Sequence, residues 1–287
     1  MPDDMNDEPR NADLHCHSNA SDGWMSPAEV VRRAHANGVD LLALTDHDTL
    51  AGLDEALAEA ARLGLDMVCG VEVSVTFANE TVHIVGLGVD RADATLRAGL
   101  AGLRAGRIER ARRMGAALAE AGVPGVFERA MRLASNPEMI GRAHLARAIV
   151  DAGHQPDVGT VFRHYLAKGK PGYVEHRWAT LEDAVAWIRA AGGIAIVAHP
   201  ARYRLDAIGM EHLFDRFAAC GGEGVEVVSG AHDDDEIAEY AQLARRRGLL
   251  ASRASDFHGP GESRVDLGGC LPLPAGLKPV WARLQGG

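Results

Sequence analysis

Three observations predict an α/β chain closed into a seven-stranded barrel with a helical insertion. Seven apolar runs read as strands, and most of them alternate with helical stretches. Several of these runs stop at His, Asp or Glu, as at Asp46-His47-Asp48, Glu72, His83, His199 and Asp256-Phe257-His258. Side chains delivered from the ends of many strands converge at one mouth of a barrel, whereas an open sheet would spread them along an edge. Third, a basic helical stretch interrupts the alternation after the fourth strand. The expected layout is a leader over residues 1–11, a barrel over 12–94 and 173–287, and an insertion over 95–172 that lies across the barrel mouth.

Taken in order, Ala12 to Leu14 reads as the first strand. Ser26 caps a helix that has Pro27 at its first position and runs to about Asn37, with Gly38 as its stop. The continuous apolar run from Asp40 to Thr45 suits a strand buried on both faces. A helix follows from Leu53 to Leu63, ended by Gly64. Met67 to Val73 and Thr81 to Leu87 are strands joined by a turn near Thr76 to Glu80, too short for a parallel crossover, which predicts an antiparallel or sharply bent pair. Later strands are expected at Gly193–Ala198, Val225–Val228 and Leu249–Ser255, with helices near Leu181–Ala191, Met210–Ala219 and Asp234–Arg247. Within the insertion, Leu96, Leu100, Leu103, Ile108, Met114 and Leu118 fit one long amphipathic helix. Shorter helices are expected near Gly125–Leu133, Gly141–Asp151 and Val158–Leu166.

Composition narrows the function. The 287 residues contain no apolar run of membrane-spanning length, and the N-terminus is acidic and polar rather than basic and then apolar. A disordered leader and a cytoplasmic protein are expected. Cys16, Cys69, Cys220 and Cys270 are widely spaced and suggest neither a disulfide framework nor a thiolate zinc site. The net charge of -10 argues against general nucleic-acid binding, but it is uneven. Residues 95–172 hold 13 Lys and Arg against 6 Asp and Glu, so a basic insertion sits beside an acidic body. An anionic substrate suits that division.

In Asp13-Leu14-His15-Cys16-His17, an extended chain would project His15 and His17 from one face and Cys16 from the other. That geometry suits a metal pincer. Imidazole and carboxylate donors without thiolate fit Mn²⁺, Fe²⁺ or Zn²⁺, and the donors outnumber what one ion needs. Two or three ions about 3.5–4 Å apart are therefore expected, with Glu72 as the bridging carboxylate. Such a cluster suits phosphate ester hydrolysis.

The motifs D-L-H-C-H-S followed by S-D-G, T-D-H-D-T, G-V-E-V-S, H-I-V-G, A-H-P and S-D-F-H-G occur in this order from Asp13 to Gly259. They closely resemble those of the polymerase and histidinol phosphatase, or PHP, family. The resemblance implies a distorted (β/α)7 barrel, a trinuclear metal centre with manganese as the first choice of ion, and phosphoesterase activity through metal-activated hydroxide. It implies that His15, His17, Glu72 and Asp256 hold one metal, Glu72, His83 and His199 a second, and Asp22, His47 and His258 a third. Asp22 stands where some branches have His. Beside His47, Asp48 is a candidate proton donor, Asp46 an orienting partner and Asp13 a support; His199 and Asp256 complete the catalytic set.

Within the family, Ser135-Asn136-Pro137, Gly141-Arg142-Ala143-His144 and Lys168-Gly169-Lys170-Pro171-Gly172-Tyr173 resemble the insertion of small nucleotide phosphoesterases. These include phosphatases acting on nucleoside 3′,5′-bisphosphates and 5′-to-3′ exoribonucleases acting on short RNA. Arg142, Lys168 and Lys170 are the expected phosphate clamps, with Ser135 and His144 completing the cradle and His232 touching substrate. The arginines at 107, 110, 112 and 113 are expected in solvent, and Arg253 at substrate or paired with an acid. The leading expectation is a phosphatase acting on the 3′-phosphate of a 3′,5′-bisphosphate. An exoribonuclease ranks second because aromatics are scarce, and a non-catalytic metal module third.

Overall fold

Strands β1 (Ala12–Asp13), β2 (Leu41–Leu44), β3 (Asp66–Phe77), β4 (Glu80–Leu87), β5 (Ile194–Val197), β6 (Gly224–Ser229) and β7 (Leu250–Ala254) hydrogen-bond in chain order. The structure, a computed structural model, describes residues 11–284, so the expected leader lies outside the described residues except for Asn11. Leu14 N donates to Arg253 O at 3.1 Å, and Asp256 N donates to His15 O at 2.9 Å. These bonds join the first strand to the last and close the sheet. Every neighbouring pair is parallel except β3 with β4 and β4 with β5. The reversed β4 is what distorts the seven-stranded α/β barrel.

Ala78 and Asn79 make the tight β3–β4 turn, both at positive φ, as a two-residue hairpin requires. The turn is shorter than the sequence suggests because β3 runs on to Phe77. Alternation along β3 then sorts its side chains. Val71, Val73 and Val75 pack outward, while Glu72 and Ser74 face the barrel interior.

Helices α1 (Pro27–Ala36), α2 (Leu53–Leu63), α8 (Leu181–Ala190), α9 (Ala207–Ala219) and α10 (Asp234–Arg247) cover the barrel. Helix α1 begins with a capping box: Ser26 Oγ accepts from Glu29 N, and the Glu29 carboxylate accepts from Ser26 N. Between β4 and α8 lie α3 (Ala94–Ala105), α4 (Arg107–Glu120), α5 (Val126–Leu133), α6 (Arg142–Asp151) and the short α7 (Val158–Val161). The single long helix expected over this region is two helices, parted at Gly106, where His176 packs against the space a Cβ would take.

The inner boundary of the insertion also moves. Leu96, Leu100 and Leu103 of α3 join the barrel's core with Val185 and Ile188, and Gly99 lies flat on the Trp187 ring. The insertion's own core starts only at Ile108 and gathers Met114, Leu118, Leu145, Ile149 and Leu166. It is joined to the loop after β1 through Asn136 Nδ2, which donates to Ala20 O at 3.0 Å, and to the loop after β7 through Arg147, which forks onto Glu262 at 3.0 Å. No helix among the described residues is long and apolar enough to cross a membrane.

Candidate active site

The mouth of the barrel is built from residues that follow the strands. His15 and His17 lie in the extended segment after β1, where His17 N donates to Phe257 O at 2.8 Å. Cys16, between them, turns outward and donates its thiol to Ala43 O. Glu72 stands on β3 and His83 on β4, while His47, His199, Asp256 and His258 occupy the loops after β2, β5 and β7. Asp48, His199 and Asp256 adopt left-handed φ values of 47°, 25° and 53°. Such conformations in residues other than glycine cost of order 1–3 kcal/mol each, and they gather here.

Glu72 is fully buried and offers its two oxygens to two groups. Oε2 lies 3.3 Å from His15 Nε2 and 3.4 Å from His17 Nε2, and Asp256 Oδ1 lies 3.3 Å from the same His17 atom. Oε1 lies 2.7 Å from His83 Nδ1 and 3.1 Å from His199 Nε2. A third group forms around Asp22, whose Oδ1 is 3.4 Å from His258 Nε2 and whose Oδ2 is 3.8 Å from His47 Nε2. His47 and His17 serve more than one group. His47 Nδ1 is 2.7 Å from Glu72 Oε2, and His17 Nδ1 is 3.9 Å from Asp22 Oδ1. The nine residues read as ligands from the sequence thus lie together.

Whether metal suits these residues can be tested on the proton inventory. His15 Nδ1 donates to Glu226 Oε1 at 2.6 Å, since a carboxylate can only accept. Against its burial, Glu72, Glu226 and Asp256 raise His15 well above the ordinary imidazole range; once a metal displaces the second proton, Nε2 turns a lone pair toward His17 Nε2, 3.1 Å away, and toward two carboxylates. His258 Nδ1 likewise donates to Asp256 O at 3.0 Å, leaving Nε2 as a lone pair facing Asp22. His17 Nδ1, Asp22 Oδ1 and His199 Nδ1 are buried without a hydrogen-bond partner. Lone pairs converging in a buried space are what divalent cations satisfy, so the donor set fits.

Without metal, protons take that role. Burial opposes a charged His47, yet Glu72 and Asp22 lift it to about 9. Burial and then His258 press His17 down to about 3. Burial holds His83 at about 4 against the pull of Glu72. Burial would raise Asp256, but His15, His17 and His258 carry it well below the carboxylate range.

Other expectations need correction. Asp48 is not placed as a proton donor: Oδ1 accepts from Ser74 N at 2.7 Å, and Oδ2 accepts from Ser74 Oγ and Arg107. Asp46 orients no imidazole. It accepts from Ser18 N, Ser18 Oγ and Ser21 Oγ at 2.6–2.8 Å and so shapes the turn that presents Asp22. Asp13 braces the site by accepting from Ser255 N and Gly268 N. Arg253 forms no ion pair among the described residues; it donates to the carbonyls of Ala12, Gly268, Cys270 and Leu271, tying the C-terminal segment to β1. Lys168 is held by Glu80 Oε1 at 2.9 Å and Asn79 O at 3.0 Å, on the β3–β4 turn. Arg107 and Arg110 are buried rather than solvated, while Arg112 and Arg113 are exposed as expected.

Of the remaining cradle residues, Ser135 and Lys170 are exposed and His144 is buried, its pKa at about 4 through burial despite nearby Asp22. Arg142 is half-buried over the Phe162 ring. His232 donates from Nδ1 to Val227 O and stacks on Tyr240, leaving Nε2 buried and unpartnered. Two residues were missed. Glu226 bonds both His15 and the backbone of His199; its signal was a lone acid inside the apolar strand Val225-Glu226-Val227-Val228. Arg202 donates from Nη1 to Asp256 Oδ2 at 2.5 Å and carries no local signal beyond its place after His199-Pro200.

Fold and site together define a class: α/β barrels whose strand ends build a centre of histidines and carboxylates fit for divalent metal. A family model of the PHP domain matches residues 13–166, and the chain belongs to that family. It is 54% identical over 275 residues to a 3′,5′-nucleoside bisphosphate phosphatase of Chromobacterium violaceum, covering 96% of each chain. It is 41% identical over 271 residues to a 5′-3′ exoribonuclease of Haemophilus influenzae, covering 94% of this chain and 98% of the relative. Among solved structures, a Chromobacterium violaceum protein described as an amidohydrolase, with bound sulfate and no metal, superposes with a TM-score of 0.93 at 54% identity over 96% of each chain. A provisionally assigned metal-dependent phosphoesterase of Bifidobacterium adolescentis gives 0.81 at 29% identity over 88% of this chain and 90% of that one.

Proposed function

We propose that this protein is a metal-dependent phosphatase that removes the 3′-phosphate of nucleoside 3′,5′-bisphosphates, such as adenosine 3′,5′-bisphosphate, giving the 5′-monophosphate and inorganic phosphate. The observation that carries this reading is the 54% identity over 96% of the chain to a bisphosphate phosphatase, which extends through the insertion as well as the barrel. In this reading His15, His17, Glu72 and Asp256 hold one ion, Glu72, His83 and His199 a second, and Asp22, His47 and His258 a third. Manganese is the preferred ion, with zinc or iron as alternatives. Bound there, divalent ions would supply an activated water as nucleophile and offset charge on the phosphoryl oxygens.

The chain's own residues do the rest. Glu226 fixes the His15 ring and the His199 backbone, so the donors are set before substrate arrives. Arg202 places one Nη on Asp256, and its guanidinium makes no other hydrogen bond among the described residues, which leaves it free to meet a phosphoryl oxygen. Four free cysteines suit a cytoplasmic enzyme.

The second reading, an exoribonuclease on short 5′-phosphorylated RNA, is favoured by the 41% identical relative. Such an enzyme needs surfaces on which bases stack. Trp178 is already occupied, with Arg107 and Arg110 at 4.7 and 5.2 Å from its ring and His176 against it at 4.3 Å. A steady-state comparison of adenosine 3′,5′-bisphosphate, adenosine 5′-monophosphate and a short 5′-phosphorylated RNA decides. Phosphate release from the bisphosphate alone is expected. Shortening of the RNA with release of mononucleotides, and little phosphate from the bisphosphate, would replace this reading with the second.

A further inference from the structure

The three ligand groups differ in what holds them. Barrel residues brace the first two: Glu226 bonds His15 and the His199 backbone, and the Tyr203 hydroxyl accepts from His83 N at 2.9 Å and donates to Ala198 O at 2.7 Å. The third group is looser. Asp22 stands 3.4 Å from His258 Nε2 and 3.8 Å from His47 Nε2, whereas Glu72 comes within 2.7 Å of His83 Nδ1. Each of its three loops is also reached from the insertion. Asn136 bonds Ala20 O ahead of Asp22, Arg107 bonds Asp48 after His47, and Arg147 bonds Glu262 after His258.

One residue of α6 holds two of those loops at once. Arg147, 7% exposed, donates from Nε and Nη2 to the two Glu262 oxygens at 3.0 Å each, and its guanidinium lies 4.7 Å from the centre of a Trp24 ring. Trp24 Nε1 donates to the same carboxylate, so cation, acid and indole close a triangle. From this clasp the path to the ligands is short. Trp24 N donates to His258 O at 2.7 Å, and Ser263 Oγ, next to Glu262, accepts from His258 N at 2.7 Å. Asp46 sets the start of the Asp22 turn at Ser18 and Ser21, and Trp24 stands at its end, where Asn19 N donates to Met25 O at 2.8 Å. A Cβ on Gly259 would lie 2.5 Å from Trp24 Cδ1, so the two loops meet without slack. An indole that is 55% exposed is not held by burial, and the clasp is what keeps it in place.

We infer that Arg147, Glu262 and Trp24 are positioning residues for the third metal ion: the group of Asp22, His47 and His258 binds it tightly only while the insertion is docked through this clasp. Residues behind a ligand set its orientation and so its affinity, and here those residues belong to a different segment of the chain from the ones behind the first two groups. The inference rests on the three-ion reading above and deepens it. The coupling is reciprocal, so the third ion in turn holds α6 against the two loops.

The test titrates manganese into the chelator-treated full chain by calorimetry and counts bound ions by elemental analysis. The wild type should take up three ions. Arg147→Met and Glu262→Gln should keep two at wild-type affinity and hold the third about tenfold to a hundredfold more weakly. Arg147→Lys returns the cation without the fork and should recover part of the loss. Trp24→Phe keeps a ring under Arg147 and loses the Nε1 bond, which should weaken the third ion by about tenfold. As an exchange at an exposed position it leaves the fold intact, so it decides alone if Arg147→Met does not fold. The third ion should also slow hydrogen exchange in α6 of the wild type and not of Arg147→Met. Parallel weakening of all three ions would mark a merely structural arginine and overturn the inference, as would three ions at wild-type affinity in Arg147→Met and Trp24→Phe. A wild type that holds only two ions removes the third assignment and the inference with it. The ion count needs no substrate: a wild type that binds three ions and a variant that loses one, with the bisphosphate left intact by both, would sink the phosphatase reading alone.

Discussion

Glu226 carries a carboxylate inside β6, a strand otherwise made of buried Val and small residues, and its two oxygens are both spent on the site. One accepts from His15 Nδ1 and the other from His199 N at 2.7 Å, on a residue whose backbone is held at φ 25°. Glutamine is nearly the same shape but has one acceptor instead of two. Glu226→Gln must therefore abandon either the His15 ring or the His199 backbone. Metal affinity should fall about tenfold to a hundredfold, as read by calorimetric titration of manganese into chelator-treated protein. Affinity equal to the wild type would show that the carboxylate does not set the donors. Several of the candidate ligands were legible in the sequence because they close apolar runs, as Glu72 does in Gly70-Val71-Glu72 and His199 does after Ile194 to Ala198, whereas Asp22 was read from the family resemblance. Glu226 sits mid-run, and Arg107 and Arg202 act on Asp48 and Asp256, which are 59 and 54 positions away; spacing along the chain holds no trace of such pairs.

Element boundaries were legible where a local residue enforces them, as Ser26 and Pro27 do for α1 or Gly64 for α2. They were not where tertiary packing decides. The apolar periodicity from Leu96 to Leu118 continues across Gly106, but the two halves face different cores: Leu96 and Leu100 pack on the barrel, Met114 and Leu118 on the insertion. Glycines also separate elements that tolerate change from those that do not. At Gly230, after β6, an added Cβ would lie 2.1 Å from Ser255 O, a backbone atom of the segment that presents Asp256. At Gly102, inside α3, nothing lies within 4 Å of that position. Gly230→Ala should destabilise by more than about 2 kcal/mol and lower metal affinity with it. Gly102→Ala should stabilise by about 0.5–1 kcal/mol through lower chain entropy. Urea unfolding of the pair reads both, and equal signs would contradict the packing described for these two elements.

Across the whole molecule, the fold holds several buried groups away from their ordinary protonation. In the chelator-treated protein the consequence is a stability that depends on pH. Burial, joined by Arg147 and Arg107, holds His144 at about 4, and burial with Arg110 and Arg107 does the same to His176. His17 at about 3 and His83 at about 4 shift the same way, also chiefly through burial. An unfolded histidine titrates near 6.5, so above that pH these four are neutral in both states and contribute no slope. As pH falls below 6.5 the unfolded chain takes up protons that the folded chain refuses, and stability drops until about pH 4. Asp46 works against them over part of this window. Burial raises it to about 6, so the folded state there binds a proton that the unfolded carboxylate does not. Asp13, also raised by burial, acts with Asp46, and His232, also lowered by burial, acts with the four, which leaves the net slope downward. His47 runs in the opposite sense: raised to about 9, it stabilises fully below 6.5 and loses that contribution as pH climbs through 9. The thermal midpoint of metal-free protein should thus peak near pH 6.5 and fall on both sides. His176→Gln lies away from the metal ligands and removes one of the four, so it should shallow the acid limb and leave the alkaline limb unchanged. Calorimetry from pH 4.5 to 9 checks this, and an acid limb as steep in the variant as in the wild type would show that His176 is not held neutral by its burial among the arginines of the insertion.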